Sequence, residues 1–168
     1  MSIPLHTRLG LGFVPKIFMT VDVGFNTGIA VTKEDVITHT YIVKEKTHHE
    51  KLHIAMRVFH MCEAFGEILA KHSDVCAVLV EGVQMYNVSQ VSKIAAASGD
   101  LFGLAYMAGA YCQTATGYCT PFIVNPREWK GNMNKEITKA RIIRALGKSF
   151  GDHVDDAVGM SLSLRGKL

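Results

Sequence analysis

Asp22 lies at the end of an apolar run, Lys16–Val23 (KIFMTVDV), with Val23 and then Gly24 after it, and Glu81 directly follows a second, VCAVLV (75–80). A carboxylate at the end of such a run needs a partner, because burying it alone costs several kcal/mol. Asp152, His153, Asp155 and Asp156 form a third group, ahead of Ala157, Met160 and Leu164. His153 and Asp156 are three residues apart and share the helical face that continues through these apolar residues. Both are expected to point inward, and Asp155 to face water. Carboxylates gathered in this way repel one another unless cations lie between them. Oxygen ligands with one imidazole suit Mg²⁺, with Mn²⁺ as a substitute. Two such ions roughly 4 Å apart activate a water and stabilise the leaving oxygen in phosphodiester cleavage. Each residue alone has a plainer reading. Asp before Gly is a common turn former, and Asp near a helix start a common cap. The ordered set carries the inference.

Periodicity supplies the elements that position these residues. Lys16–Val23, Gly28–Thr32 and Val36–Val43 read as strands joined by short links, hence as antiparallel neighbours. Lys51–Lys71 has helical spacing, with Leu52, Ala55, Phe59, Cys62, Gly66 and Leu69 on one stripe. Val75–Val80 reads as a strand covered on both faces. A long Ala- and Gly-rich helix over Val88–Thr116, a strand at Pro121–Val124, a basic helix at Asn134–Gly147 and a final helix at Gly151–Leu164 complete the chain. The expectation is one α/β domain over residues 16–168, with five strands in a mixed sheet. Residues 1–15 contain His6 and Arg8 and no acid; they read as a disordered leader outside the fold.

The 168 residues are 48% hydrophobic and 20% charged, which excludes disordered and fibrous classes. The net charge of +3 is mild, but residues 126–148 hold seven basic residues against Glu128 and Glu136. Such a stripe suits a phosphate-rich partner. Lys130 and Lys135 flank Gly131-Asn132, while Lys139, Arg141 and Arg144 either continue the contact or only solvate the helix. Cys62, Cys76, Cys112 and Cys119 form no C-x-x-C pair and read as reduced, mostly buried thiols of a cytoplasmic protein. Ile94–Ala115 is the most membrane-like stretch, but Asp100 and Gln113 argue against a span, so no membrane is expected. His49, His53 and His60 share a helical face without a completing ligand, and a solvated surface is the better reading. Gly99, Gly103 and Gly109 make the long helix small-sided, for packing on the sheet or for a dimer seam.

Three segments together resemble the RuvC family of Holliday-junction resolvases, within the ribonuclease H-like nucleases. They are Val21-Asp22-Val23-Gly24, Val80-Glu81-Gly82-Val83 and His153-Val154-Asp155-Asp156-Ala157. Pro126-Arg127-Glu128-Trp129-Lys130-Gly131 and Asn134-Lys135 resemble the family's segment before its basic helix. The resemblance spans residues 16–165 and is most similar to the short resolvases of bacterial viruses. It implies a ribonuclease H-like α/β fold with strands 1–3 antiparallel, and the cytoplasm of a bacterium or of a virus-infected host. It further implies a homodimer that nicks opposing strands of four-way DNA junctions, with two Mg²⁺ ions per active site. The catalytic and metal-binding set carries over to Asp22, Glu81, His153 and Asp156. Asp22 would bridge two ions, Glu81 would hold the ion on the leaving-group side, and His153 and Asp156 would complete the other shell. Lys130, Lys135, Lys139 and Arg141 are the expected DNA contacts. Many members have Asp where this chain has His153. Many also have an aromatic residue where this chain has Gln84; Tyr86 is the nearest aromatic, and both residues are expected at the DNA. Two other readings fit the same residues. Asp22-Val23-Gly24 with Gly28 resembles the phosphate hairpin of the actin/Hsp70 group, which would make the chain a nucleotide-binding half domain. A branched-DNA-binding protein without nuclease activity is the other.

Overall fold

A computed structural model describes residues 5–46, 48, 52–82 and 98–168, with the backbone alone at 98–102. The strands are β1 (Ile17–Asp22), β2 (Asn26–Lys33), β3 (Val36–Lys44), β4 (Ala77–Glu81) and β5 (Thr120–Val124). The helices are α1 (Leu5–Arg8), α2 (Ile54–Lys71), α3 (Ser98–Thr116), α4 (Pro126–Trp129), α5 (Lys135–Leu146) and α6 (Asp152–Leu164). The strands form one five-stranded sheet in the order β3-β2-β1-β4-β5. β1, β2 and β3 are antiparallel neighbours, as their short links require, and β1–β4 and β4–β5 are parallel. Among the described residues, no helix is long and apolar enough to cross a membrane.

The two-residue period of a strand sorts the sheet into faces. Met19, Val21, Val78 and Val80 pack with Val58, Met61 and Phe65 of α2 and Met107 and Tyr111 of α3. Phe18 and Leu79 point the other way, against Trp129, Met160 and Leu164. Asp22 and Glu81 continue this second alternation, so both fall on the face that carries α6. That helix is buried from Val154 to Leu162. It is tied to the sheet by Thr20, whose hydroxyl donates to the Ala157 carbonyl at 2.7 Å, and by the Thr32–Ser161 hydroxyl pair at 2.7 Å.

Gly28 pairs with Asp22 across β1 and β2. A Cβ there would lie 2.0 Å from the His153 carbonyl oxygen, so only glycine lets the start of α6 rest on the sheet at this point. Gly28→Ala is expected to destabilise by about 3 kcal/mol, the upper end of overpacking, because the obstacle is backbone. A thermal melt should show a drop of roughly 6–12 °C.

Several expectations need correction. The stripe read along Lys51–Lys71 is divided: Leu69 is buried in the core, and three residues before it turn toward α3. Ala55, Phe59 and Cys62 line a groove with Ala105, Tyr106, Gly109 and Ala110, whereas Val58, Met61, Phe65, Ile68 and Leu69 are buried. The helix is apolar on two faces, one toward the sheet and one toward α3. Residues 5–15, read as a leader, belong to the fold from Leu5 onward. Leu5 is buried beside Phe18, Leu79 and Trp129, with Leu9, Leu11 and Val14 packed around them. Burial of Leu5 contributes about 1.5–3 kcal/mol, which anchors a helix too short to persist alone. The four cysteines are unpaired but not mostly buried: three are half-buried and Cys76 is exposed. Gln84, Tyr86, His49 and the start of the expected Val88–Thr116 helix lie outside the described residues.

Candidate active site

Asp22 and Glu81 end neighbouring parallel strands, with Val21 paired to Val80, and so their side chains sit beside each other. Both are 92% buried, with 8% of their surface exposed. From the other side, α6 brings His153 and Asp156. His153 Nδ1 lies 3.3 Å from Asp22 Oδ2. Asp156 is likewise 8% exposed and meets Lys130, whose Nζ lies 3.7 Å from its Oδ2 and 3.3 Å from Glu81 Oε1. Trp129 closes the cluster by donating its indole N–H to Glu81 Oε1 at 3.0 Å.

The path from β5 explains Trp129 and Lys130. Val124 pairs with Glu81, and Asn125 then caps α4. Its side chain accepts from Arg127 N–H, while Glu128 accepts from Asn125 N–H at 2.6 Å. This reciprocal box turns the chain so that Trp129 and Lys130 face Glu81. Gly159 admits the indole, since a Cβ there would lie 2.7 Å from the Trp129 ring.

The electrostatics reflect an excess of buried carboxylate. Glu81 is pushed up to about 8, first by burial and then by its hydrogen bond to Asp22 and that group's charge. Asp156 is raised, chiefly by burial, which outweighs the pull of Lys130. Burial lowers Lys130, but attraction to Glu81 and Asp156 wins, and its pKa is raised. His153 is raised, first by its bond to Asp22. Glu81, Asp156, Lys130 and His153 therefore each lean toward the protonated form, as expected where positive charge is in short supply.

Asp22, Glu81, Asp156 and His153 form a hard oxygen set with one imidazole, which fits a divalent cation of the Mg²⁺ or Mn²⁺ type. The Lys130 ammonium already stands between Glu81 and Asp156 as a monovalent substitute. Among the described residues, no three His, Cys, Asp or Glu side chains close into a preformed cage. The four meet pairwise, through Lys130, through the Glu81–Asp22 hydrogen bond and through the His153–Asp22 contact.

The structure thus gathers Asp22, Glu81, His153, Asp156 and Lys130. Lys135 and Lys139 lie at the rim, in a cleft they share with Asp152 and Asp156, and Lys135 acts on both Asp156 and His153 by charge. Arg141 is not with them; it lines a separate groove with Arg127 and Lys130. Asp155, expected to face water, is 4% exposed. Its carboxylate accepts from Ser149 Oγ at 2.5 Å and Phe150 N–H at 2.7 Å. Gly151, the cap of α6, offers no side chain for this, and Asp155 reaches back to hold the entering loop. Trp129 was missed as a partner of Glu81; its signal was its place as the chain's one tryptophan directly before Lys130.

No family model matches the chain, and no curated protein matches it. Solved structures do. Thermus thermophilus RuvC in complex with a Holliday junction substrate is 17% identical, with a TM-score of 0.62 over 87% of this chain and 91% of that one. A second structure of Thermus thermophilus RuvC is 18% identical, with a TM-score of 0.61 over 87% and 92%. The chain has a RuvC-like fold: a mixed five-stranded sheet flanked by helices, of the ribonuclease H-like kind.

Proposed function

We propose that this chain is a metal-dependent, structure-selective DNA endonuclease that resolves four-way junctions, and other branched DNA, by paired nicks. The observation that carries the reading is the burial of Asp22, Glu81 and Asp156 against one another on a RuvC-like fold. Three buried carboxylates with one ammonium and one imidazole cost too much to serve as packing alone. Asp22, Glu81, His153 and Asp156 would hold two Mg²⁺ ions, or Mn²⁺ in their place. When bound, these supply an activated water and a counter-charge for the leaving oxygen. Trp129 fixes one oxygen of Glu81 and leaves the other to turn toward a cation. Lys130, now paired with Glu81 and Asp156, is placed where its ammonium would meet a phosphate oxygen if those carboxylates held cations instead.

Lys135 is the exposed cation at the mouth of the cluster. Lys135→Ala is expected to slow cleavage more than it weakens binding, and to lower the salt slope of binding by about one unit. Slope and rate both equal to wild type would assign Lys135 to solvent.

Paired nicking calls for two copies. The groove between α2 and α3 suits a second copy: it is apolar, with Phe59 52% and Tyr106 60% exposed. Gly103 is used within the chain, since a Cβ there would meet Ile54 at 2.8 Å, but Gly109 opens on free space. We place the homodimer seam there, and the protein in a cytoplasm where its unpaired thiols stay reduced. A cruciform plasmid incubated with Mg²⁺ tests the reading. Paired nicks yield linear DNA in one binding event. Nicked circles alone would overturn the homodimer, and intact plasmid the nuclease.

A further inference from the structure

A groove of about 460 Å³ shares Trp129 and Lys130 with the carboxylate cluster. Leu5 and Arg8 of α1, Arg127 of α4 and Arg141 of α5 form the rest of its principal walls. Its side chains hold four cations against one acid, Glu128, whose carboxylate is already engaged in capping α4, and Arg141 also donates to the Leu168 main-chain oxygen at 3.4 Å. Leu5 and Trp129 are buried and fix the base, while Arg8, Arg127 and Arg141 are exposed at the rim. The basic lining continues past Arg141 into a second hollow with Arg144 and Lys167. Cations from three separate elements, strung along an open channel, do not enclose a small anion. They match a chain of anions, and guanidinium forks pair well with phosphate oxygens.

We infer that this groove holds the sugar–phosphate backbone of a DNA strand leading away from the Glu81–Asp156 cluster, with Arg8 and Arg127 as phosphate contacts. The inference rests on the proposed nuclease reading, since Lys130 joins the groove to that site. It gives residues 5–15 a role, because docking of Leu5 is what places Arg8 on the wall. It also divides the basic segment: Lys135 and Lys139 serve the mouth of the site, and Arg127, Arg141 and Arg144 serve the strand beyond it.

The test is binding of a fluorescently labelled four-way junction in EDTA, followed by anisotropy at salt concentrations from about 50 to 200 mM. Arg8→Ala and Arg127→Ala should each weaken binding several-fold and lower the salt slope by about one unit. The double charge reversal Arg8→Glu/Arg127→Glu should weaken it at least about tenfold, with a thermal melt equal to wild type because both residues are exposed. Lys44→Ala, on the edge strand farthest from β5, should leave the slope unchanged. Wild-type affinity and slope in the double variant would overturn the groove assignment, as would an equal loss in Lys44→Ala. Failure of the nuclease reading looks different: wild type would bind without nicking in Mg²⁺ while the arginine variants still lowered the slope.

Discussion

Asp22→Asn is expected to abolish nicking, by more than about 100-fold, while leaving junction binding nearly intact. The substitution keeps the side-chain shape. It removes the charge that touches both halves of the cluster, since Asp22 bonds to Glu81 on one side and His153 on the other. An amide also removes the Asp22 charge that helps to raise the Glu81 pKa, leaving burial as the main cause. Affinity should persist because phosphate contacts dominate it, and Lys130, Lys135 and the arginine groove remain. Single-turnover nicking and metal-free binding, measured side by side, check this. Nicking at the wild-type rate would remove Asp22 from any cation site.

His153 should set an acid limit on activity, and the limit should move with metal concentration. Imidazole binds a cation only when neutral, so protons and cations compete for it. Its pKa is raised, first through the bond to Asp22, which places the acid limb at or above the ordinary value of about 6.5. Raising Mg²⁺ or Mn²⁺ should shift that limb to lower pH. His153→Asp should keep activity and move the limb lower still, and His153→Ala should lose about 10–100-fold. The same acid limb in wild type and His153→Asp, at two metal concentrations, would show that His153 is not a ligand.

Stability provides a second readout of the same competition. A raised His contributes stability that is present below its unfolded pKa and lost as pH climbs through its folded one. Glu81, raised from 4.5 to about 8, acts in the same sense: the folded state holds its proton longer than the unfolded chain does. Asp156 is raised as well. The metal-free protein should therefore lose stability as pH rises from about 4.5 to 8, and Mg²⁺ should raise the melting temperature more at pH 8 than at pH 6. Equal stabilisation at both would contradict cation–proton exchange in the cluster.

The parts of this site that lie at the ends of local patterns were legible in the residues. Asp22 and Glu81 each lie at the carboxyl end of an apolar run, and the i, i+3 spacing of His153 and Asp156 places them on one helical face. The mixed sheet followed from links too short for crossovers. What stayed hidden depends on tertiary contact. Trp129 reaches Glu81 only because β5 lies beside β4 and Gly159 leaves room for the ring. Gly28 is required by the backbone of α6, some 125 residues away in sequence. Asp155 misled because periodicity cannot see that Gly151 leaves α6 without a side-chain cap. The partner of the Phe59 stripe was not legible, because α2 is apolar toward α3 as well as toward the sheet. The docking of Leu5 has no local signature at all in a helix of four residues.

Cleavage of labelled four-way, three-way, flap and linear duplex DNA in Mg²⁺, with product ends mapped, tests the central claim most directly. The expected result is metal-dependent nicking of the branched substrates, on opposing strands of the four-way junction and near its crossover, with linear duplex spared. Binding of the junction without nicking would leave a branched-DNA-binding protein, and cutting of linear duplex at the same rate would contradict structure-selective resolution.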